Sequence, residues 1–411
     1  MNNINKIVLI LIFLLKDCIG YINSNKFNIK VVKKECLTTL YDTIDDISSS
    51  SSSKHRIIVA GASGYIGRSV VKELVNRGIS CGAIVRNTDL SNITNKFLQG
   101  SDVIICDVLD PLQIEKVLID YQPTSAICCL ASRSGVKRDA YAVDYQGGKN
   151  LLDALMVSSK LKKKRCHYTL LSAYCCGKPL LQFQFAKLKL EEDIKQNIEF
   201  VSHSIVRPTA FFKSLDGQIE SVRKGNPILY FGDGKCAANP ISEVDLAKFI
   251  VDCTLNPKEM DMLDKTRDIG GPDVPPITKL QQGNMIYDAL NIEKDKRAFV
   301  SIPLGIFDIL INSFTFFESV SKLFKLNNLI EKFNDAAELA RIVKYYASEP
   351  MVATDFSKKE VQGTMRLSDH FKYIADRGGL LEEVDPMTTT AGVLGSFSKN
   401  QYIKPTVSEN T

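Results

Sequence analysis

The run Arg56-Ile-Ile-Val-Ala60 passes straight into Gly61-Ala-Ser-Gly64-Tyr-Ile-Gly67, and Val70, Val71, Leu74 and Val75 then share one helical face before Gly78. No other stretch restricts the fold as much. An unbroken β-branched run reads as a strand buried on both faces, as in parallel sheets. Gly61 permits the tight turn out of the strand. Gly64 lets backbone N–H groups approach a pyrophosphate, and Gly67 lets the helix pack on the strand. The helix N-terminus then turns its free N–H groups and the positive end of its dipole toward an anion. Strand, turn and helix agree, so Gly61, Ser63, Gly64, Tyr65, Ile66 and Gly67 are the expected contacts of a dinucleotide.

The pattern repeats downstream. Cys81–Val85, Val103–Val108, Ala126–Leu130 and His167–Ser172 read as strands, alternating with helices over Pro111–Tyr121 and Asp144–Ser159. This order predicts an α/β fold with a doubly wound parallel sheet of the Rossmann type. Strand two ends in Arg86, where an NAD site carries an acid for the ribose 2′-OH. A guanidinium there suits a 2′-phosphate, which favours NADP; Asp89, three residues on, and a solvated surface arginine are the competing readings. Asp107 stands where an acid meets the adenine amino group. Ala131 and Ser132 follow strand four at the ligand-binding edge of the sheet. The dinucleotide-binding domain is expected over 55–255. A smaller mixed substrate or lid region should follow over 256–387, then a polar, aperiodic tail over 388–411.

The chemistry is expected after strand five. Ordinary short-chain dehydrogenases carry a Ser there, then a Tyr, then a Lys four residues beyond the Tyr; the Tyr gives a proton and the Lys lowers its pKa. This chain has Ser172 and Lys187, but Phe183 stands where the Tyr would be. The usual carbonyl-reducing set is therefore incomplete.

The surrounding block, Leu171-Ser-Ala-Tyr-Cys-Cys-Gly-Lys-Pro179-Leu-Leu-Gln-Phe-Gln-Phe-Ala-Lys187-Leu-Lys-Leu-Glu191, resembles the NADPH-dependent divinyl chlorophyllide a 8-vinyl reductases, atypical members of the short-chain dehydrogenase superfamily. So do Ser204-Ile-Val-Arg-Pro208-Thr-Ala-Phe-Phe-Lys213, Phe231-Gly-Asp-Gly-Lys235, Asn239-Pro240-Ile-Ser-Glu243, Ile269-Gly-Gly-Pro272 and Val343-Lys-Tyr-Tyr346-Ala. The similarity runs from about Arg56 to about Thr354. Cys176 and Gly177 depart from it. The resemblance makes Phe183 a family trait rather than decay. It implies hydride transfer from NADPH to the ring-B vinyl group of a divinyl tetrapyrrole, with a proton completing the ethyl group. Lys187 would then fix the nicotinamide ribose. Ser172 and Tyr174 would lie by the hydride path, and Tyr174, a Cys175 thiol or solvent would give the proton. Arg207 and Pro208, ending the sixth strand, join the expected cofactor contacts. Phe183, Phe211 and Phe212 are expected against the substrate, with core packing as the alternative for the last two. A non-catalytic NADP-binding scaffold or redox sensor, or a reductase of another conjugated alkene, stays open as an alternative.

Residues 303–325 read as an amphipathic helix, with Ile306, Leu310, Phe314, Phe317 and Phe324 at helical spacing. Such a helix faces the core, covers a substrate, or rests on a membrane surface as a peripheral contact. The N-terminus carries Lys6 and the apolar Ile7–Leu15, too short for the roughly 20 residues of a membrane span and suited to a signal peptide over 1–20. Residues 21–54 are basic and acid-free up to Lys34 and end in the Ser48–Ser53 run. Together these resemble the two-step leader of proteins sent through the secretory route into a complex plastid; a secretory signal with a plain linker is the alternative. Net charge is +5 among 411 residues, which gives no argument for nucleic acid. The 11 cysteines form no C-x-x-C pair, so zinc ribbons and thioredoxin-like motifs are disfavoured and reduced, buried thiols expected. No metal is expected, and nothing in the sequence sets an oligomeric state.

Overall fold

The computed structural model describes residues 55–86 and 97–378. The leader, Asp89 and the tail over 388–411 lie outside them.

Six strands, β1 Arg56–Ala60, β2 Ser80–Val85, β3 Asp102–Ile105, β4 Ser125–Cys128, β5 Cys166–Leu171 and β6 Val201–Pro208, join an edge strand Lys265–Ile269 in one parallel sheet. Its order is β3-β2-β1-β4-β5-β6-edge. The chain therefore winds outward from β1 in one direction, returns, and continues from β4 in the other. The break between β1 and β4 is the crevice where such sheets bind ligands. The edge strand lies beyond residue 255, so the sheet draws its last strand from the C-terminal region. Pairing Arg207 with Asp268 and Pro208 with Ile269 fixes its register.

Helices cover both faces. Tyr65–Asn76 and Glu243–Leu255 pack on one side, where Val70, Val71, Leu74, Leu246 and Ile250 are fully buried with Ile57 and Val59. Each such aliphatic side chain contributes roughly 1.5–3 kcal/mol by leaving water. Pro111–Tyr121, Gly148–Leu161 and Gln182–Gln196 cover the other side, against Ile58, Tyr168 and Ile205. Ser242 caps the Glu243–Leu255 helix, its side chain accepting from the Asp245 N–H at 3.0 Å.

Three differences from the sequence reading bear on the site. The helix expected from Asp144 begins earlier, with a widened π-type segment over Ala140–Gly147 that carries Asp144. Phe231-Gly-Asp-Gly-Lys235, whose two glycines suggest a hairpin turn, is not one. Ile228–Phe231 pairs in parallel with Phe299–Ile302, whereas Ala237–Ala238 pairs with Ile277–Thr278. Turn glycines announce a reversal and leave its partners open. The 303–325 helix, observed as Gly305–Leu323, is not core-facing. Only Phe307 and Ser321 on it are buried, whereas Ile309 is 68%, Leu323 78% and the following Phe324 66% exposed. It packs on the long Asn327–Ser348 helix, with Phe317 stacked on Phe333 at 5.5 Å.

A C-terminal strap over residues 349–366, between the Asn327–Ser348 and Leu367–Asp376 helices, is clipped to the core by Asn239. This fully buried amide donates to Ala353 O at 2.7 Å and accepts from Ala353 N–H at 2.9 Å. All nine described cysteines are free, and all but Cys236 are buried.

Candidate cofactor and substrate site

The glycine turn has the shape that a pyrophosphate needs. Gly61 adopts φ +77°, and a Cβ there would lie 2.7 Å from Cys129 O. A Cβ on Gly67 would fall 2.0 Å from Gly61 O, a separation no side chain tolerates. Gly64 N–H closes the turn on Gly61 O at 3.0 Å, and Gly64 precedes the first residue of the helix. The backbone thus stays open to an anion at the helix N-terminus. Ser63 is half-buried in the turn, and Ile66 is buried, so Ile66 offers only backbone. Tyr65 is tied down, its hydroxyl donating to Glu243 Oε2 at 2.7 Å. Burial first, then Glu243, pushes its pKa well above the phenol range.

Arg86 is exposed at the end of β2 and Asp107 just beyond β3. Asp107 Oδ1 accepts from Leu109 N–H at 3.0 Å. Ala131 and Ser132 follow β4 at the same edge, Ala131 exposed. These positions fit a dinucleotide laid across the C-terminal ends of β1 to β4.

Lys187 and Asp144 meet beside Leu130, just beyond the C-terminal end of β4. Lys187 Nζ lies 2.9 Å from Asp144 Oδ1, and both side chains are buried. Nζ also donates to Leu130 O at 3.3 Å, and Ser132 N–H donates to Asp144 Oδ2 at 3.0 Å. Burial works to lower the Lys187 pKa, but the Asp144 charge and hydrogen bond outweigh it and the pKa is raised. Lys187 therefore stays an ammonium, fixed between the β4 edge and the π-type segment. Sequence reading treats Asp144 only as the start of a helix, and no local spacing links it to Lys187.

Ser172 and Arg207 are engaged elsewhere than expected. Ser172 Oγ donates to Glu191 Oε1 at 2.6 Å. Arg207 Nε and Nη2 donate to Glu191 Oε1 and Oε2 at 2.9 and 2.5 Å. Glu191 is almost wholly buried. The bidentate pair satisfies the carboxylate and commits the guanidinium, so Arg207 braces the Gln182–Gln196 helix rather than reaching a cofactor. Pro208 is buried beside it and offers no open contact.

The aromatic residues separate. Phe183 is half-buried with Cys175, Leu181, Ile342 and Tyr345. Phe211 is half-buried, its ring 6.2 Å from that of Tyr65 on the cofactor side of the sheet. Phe212 is fully buried with Ile219 and Phe371, so it belongs to the core and not to a substrate surface. Tyr174 packs with Ala210, Ala238 and Met351. Burial raises its pKa, with Asp268 and Glu360 adding to it. Its ring is thus taken up by the strap contact at Met351.

One connection has no trace in the sequence. Glu338, buried on the Asn327–Ser348 helix, accepts from Gln182 N–H at 2.7 Å through Oε1, and Arg341 pairs with its Oε2 at 3.1 Å. A carboxylate at that N-terminus caps the helix that carries Lys187.

The fold and this edge define a nicotinamide-dinucleotide-binding protein of the short-chain dehydrogenase type. Residues 61–257 match the NAD(P)H-binding family model. Among solved structures, an epimerase from Methanothermobacter thermautotrophicus superposes with TM-score 0.50 at 13% identity, covering 62% of this chain and 81% of that one. The UDP-Glc/GlcNAc 4-epimerase from Campylobacter jejuni gives TM-score 0.50 at 14% identity, over 61% and 87%. At such identities the likeness concerns the fold.

Closer relatives settle the family. The chain is 37% identical to the Arabidopsis thaliana protein named divinyl chlorophyllide a 8-vinyl-reductase, chloroplastic, over 81% of this chain and 79% of that one. The Zea mays protein of the same name is 40% identical over 74% and 73%. The Cucumis sativus protein is 39% identical over 78% and 76%. The chain belongs to the divinyl chlorophyllide a 8-vinyl-reductase family.

Proposed function

We propose that this protein uses NADPH to reduce the 8-vinyl group of a divinyl chlorophyllide to ethyl, in a plastid, as a step of chlorophyll biosynthesis. Its family membership supports the reaction, and the chloroplastic names of its relatives support the compartment. The observation that carries the reading is local. A buried, charged Lys187 is held by Asp144 at the cofactor edge, while Phe183, one turn before it, has no proton to give. That pairing suits an enzyme that binds a nicotinamide but does not protonate a carbonyl oxygen.

NADPH supplies a hydride when bound. The residues that hold it are the Gly61, Ser63, Gly64, Tyr65, Ile66 and Gly67 backbone at the pyrophosphate, Asp107 at the adenine, and Arg86 at the 2′-phosphate. Ala131, Ser132 and Lys187 take the nicotinamide ribose. Ser172 acts through Glu191, keeping the Lys187 helix in place. Phe183 and Phe211, each half-buried, would offer apolar contact to a planar, apolar substrate.

The reading includes a peripheral lipid contact through residues 303–325. Its support is the exposed row of Ile309, Phe316, Leu323 and Phe324, flanked by exposed Lys322 and Lys325. Among the described residues no helix is long and apolar enough to cross a membrane.

The test is turnover. Protein mixed with NADPH and divinyl chlorophyllide should shift the Soret band to the blue, and Lys187→Met should abolish the shift. NADPH binding with an unchanged pigment spectrum overturns the proposal in favour of a non-catalytic scaffold or another alkene.

A further inference from the structure

We propose that Tyr346, on the long Asn327–Ser348 helix outside the Rossmann core, delivers the proton that completes the reduction. The proposal rests on the reductase reading above and assigns a step that Phe183 leaves without a donor.

The helix is placed by contacts at the site. Glu338 caps the Lys187 helix at Gln182. One turn further on, Ile342 meets Phe183. A Cβ on Gly135 would lie 3.0 Å from Ile342 Cδ1 and 3.7 Å from Phe183 Cδ1, so both side chains converge on that glycine. Residues four apart share a helix face. Tyr346 therefore stands one turn beyond the residue that touches Phe183, on the same side of the helix. The phenol is carried by a helix that meets the Lys187 helix at Gln182 and Phe183.

The neighbouring tyrosine sharpens the assignment. Tyr345 is buried with Cys175 and Leu181. Tyr346 stands edge-on to it, ring centroids 5.8 Å apart, and keeps 40% of its surface open. Dense protein surroundings, with Cys175, Tyr345, Cys176 and Asp144 close enough to act on it, keep its hydroxyl protonated well above the phenol range. The residue is thus open on one side, while its hydroxyl is enclosed by the site and stays protonated at physiological pH. Other protic groups near Phe183 are worse placed. Ser172 gives its hydrogen to Glu191, Cys175 is 3% exposed, and Tyr174 lies in the strap contact.

The step balances simply. A C–H bond forms at the terminal vinyl carbon with the hydride, the vinyl π bond breaks, and the electron pair moves to the adjacent carbon and the macrocycle. The Tyr346 O–H bond then breaks and a second C–H bond forms at that adjacent carbon. The phenolate left behind takes a proton from solvent.

The experiment compares wild type, Tyr346→Phe and Tyr345→Phe in the same turnover assay, with NADPH affinity measured alongside. We expect Tyr346→Phe to lower kcat about 100-fold or more with NADPH Kd changed less than about twofold. Its residual rate should rise with added phenol or imidazolium, and its solvent deuterium isotope effect should exceed that of wild type. Tyr345→Phe should keep kcat within about threefold, since its ring packing is retained. A Tyr346→Phe kcat within about threefold of wild type overturns the assignment. So does a slow variant with neither rescue nor a raised isotope effect, which marks a packing role. If wild type itself leaves the pigment unchanged, the reductase reading falls first and this proposal with it.

Discussion

Lys187 Nζ and Asp144 Oδ1 stand 2.9 Å apart in the interior, joining the helix after strand five to the π-type segment after strand four. Removing one partner leaves a buried charge without its counterion, which costs about 3–5 kcal/mol. Asp144→Ala should lose stability of that order in urea denaturation at pH 7. The Lys187 pKa is raised, so its share of the stability is complete at neutral pH and is lost only as pH rises through the raised value. The Lys187–Asp144 pair itself should add no slope to wild-type stability between pH 7 and 9, with its contribution lost in stronger alkali.

Arg86 sets the cofactor choice in this reading. It is exposed at the end of β2, where its removal leaves the core untouched. A charge-assisted hydrogen bond contributes about 1.5–3 kcal/mol. Arg86→Ala should therefore weaken NADPH binding roughly 10- to 100-fold and leave NADH within about twofold. Titration of nicotinamide fluorescence with both cofactors reads the ratio. Equal losses for the two would assign Arg86 to a general surface role.

Acid should destabilise the sheet through His167. This imidazole is buried on β5, bound to Ser202 Oγ at 2.9 Å and Ser204 Oγ at 3.1 Å. Burial, with His203 next, pushes its pKa down to about 4 from 6.5. The folded state thus favours the neutral ring. Its contribution is complete above pH 6.5 and is lost as pH falls toward 4, a change of about 3 kcal/mol. Denaturation curves across that window should show the loss, and His167→Gln should shrink it. An unchanged acid slope in the variant would place the effect in other groups, His203 first.

The lipid contact is checked by flotation. Wild-type protein should rise with anionic phospholipid vesicles, and Leu323→Ser with Phe324→Ser should stay in the dense fractions. Both side chains are largely exposed, so the double variant should keep wild-type stability within about 0.5 kcal/mol. Equal flotation of the two proteins would remove this face from the membrane.

What the sequence determined by itself is short-range. Gly61, Gly64 and Gly67 are legible because the turn is built within a few residues and its steric demands fall on those residues alone. Strands β1, β2, β4 and β5 are legible because burial on both faces needs an unbroken apolar run. Lys187 and Phe183 could be picked out by their spacing on one helix. The tertiary structure alone decided the partners. Asp144 holds Lys187, Glu191 takes Ser172 and Arg207 together, Phe212 turns into the core, and Glu338 caps the Lys187 helix from a helix far along the chain. Buried charges and hydroxyls must find counterparts among whatever the sheet order brings to the same edge. That choice depends on register and crossover, which leave no periodicity in the sequence for a reader to follow.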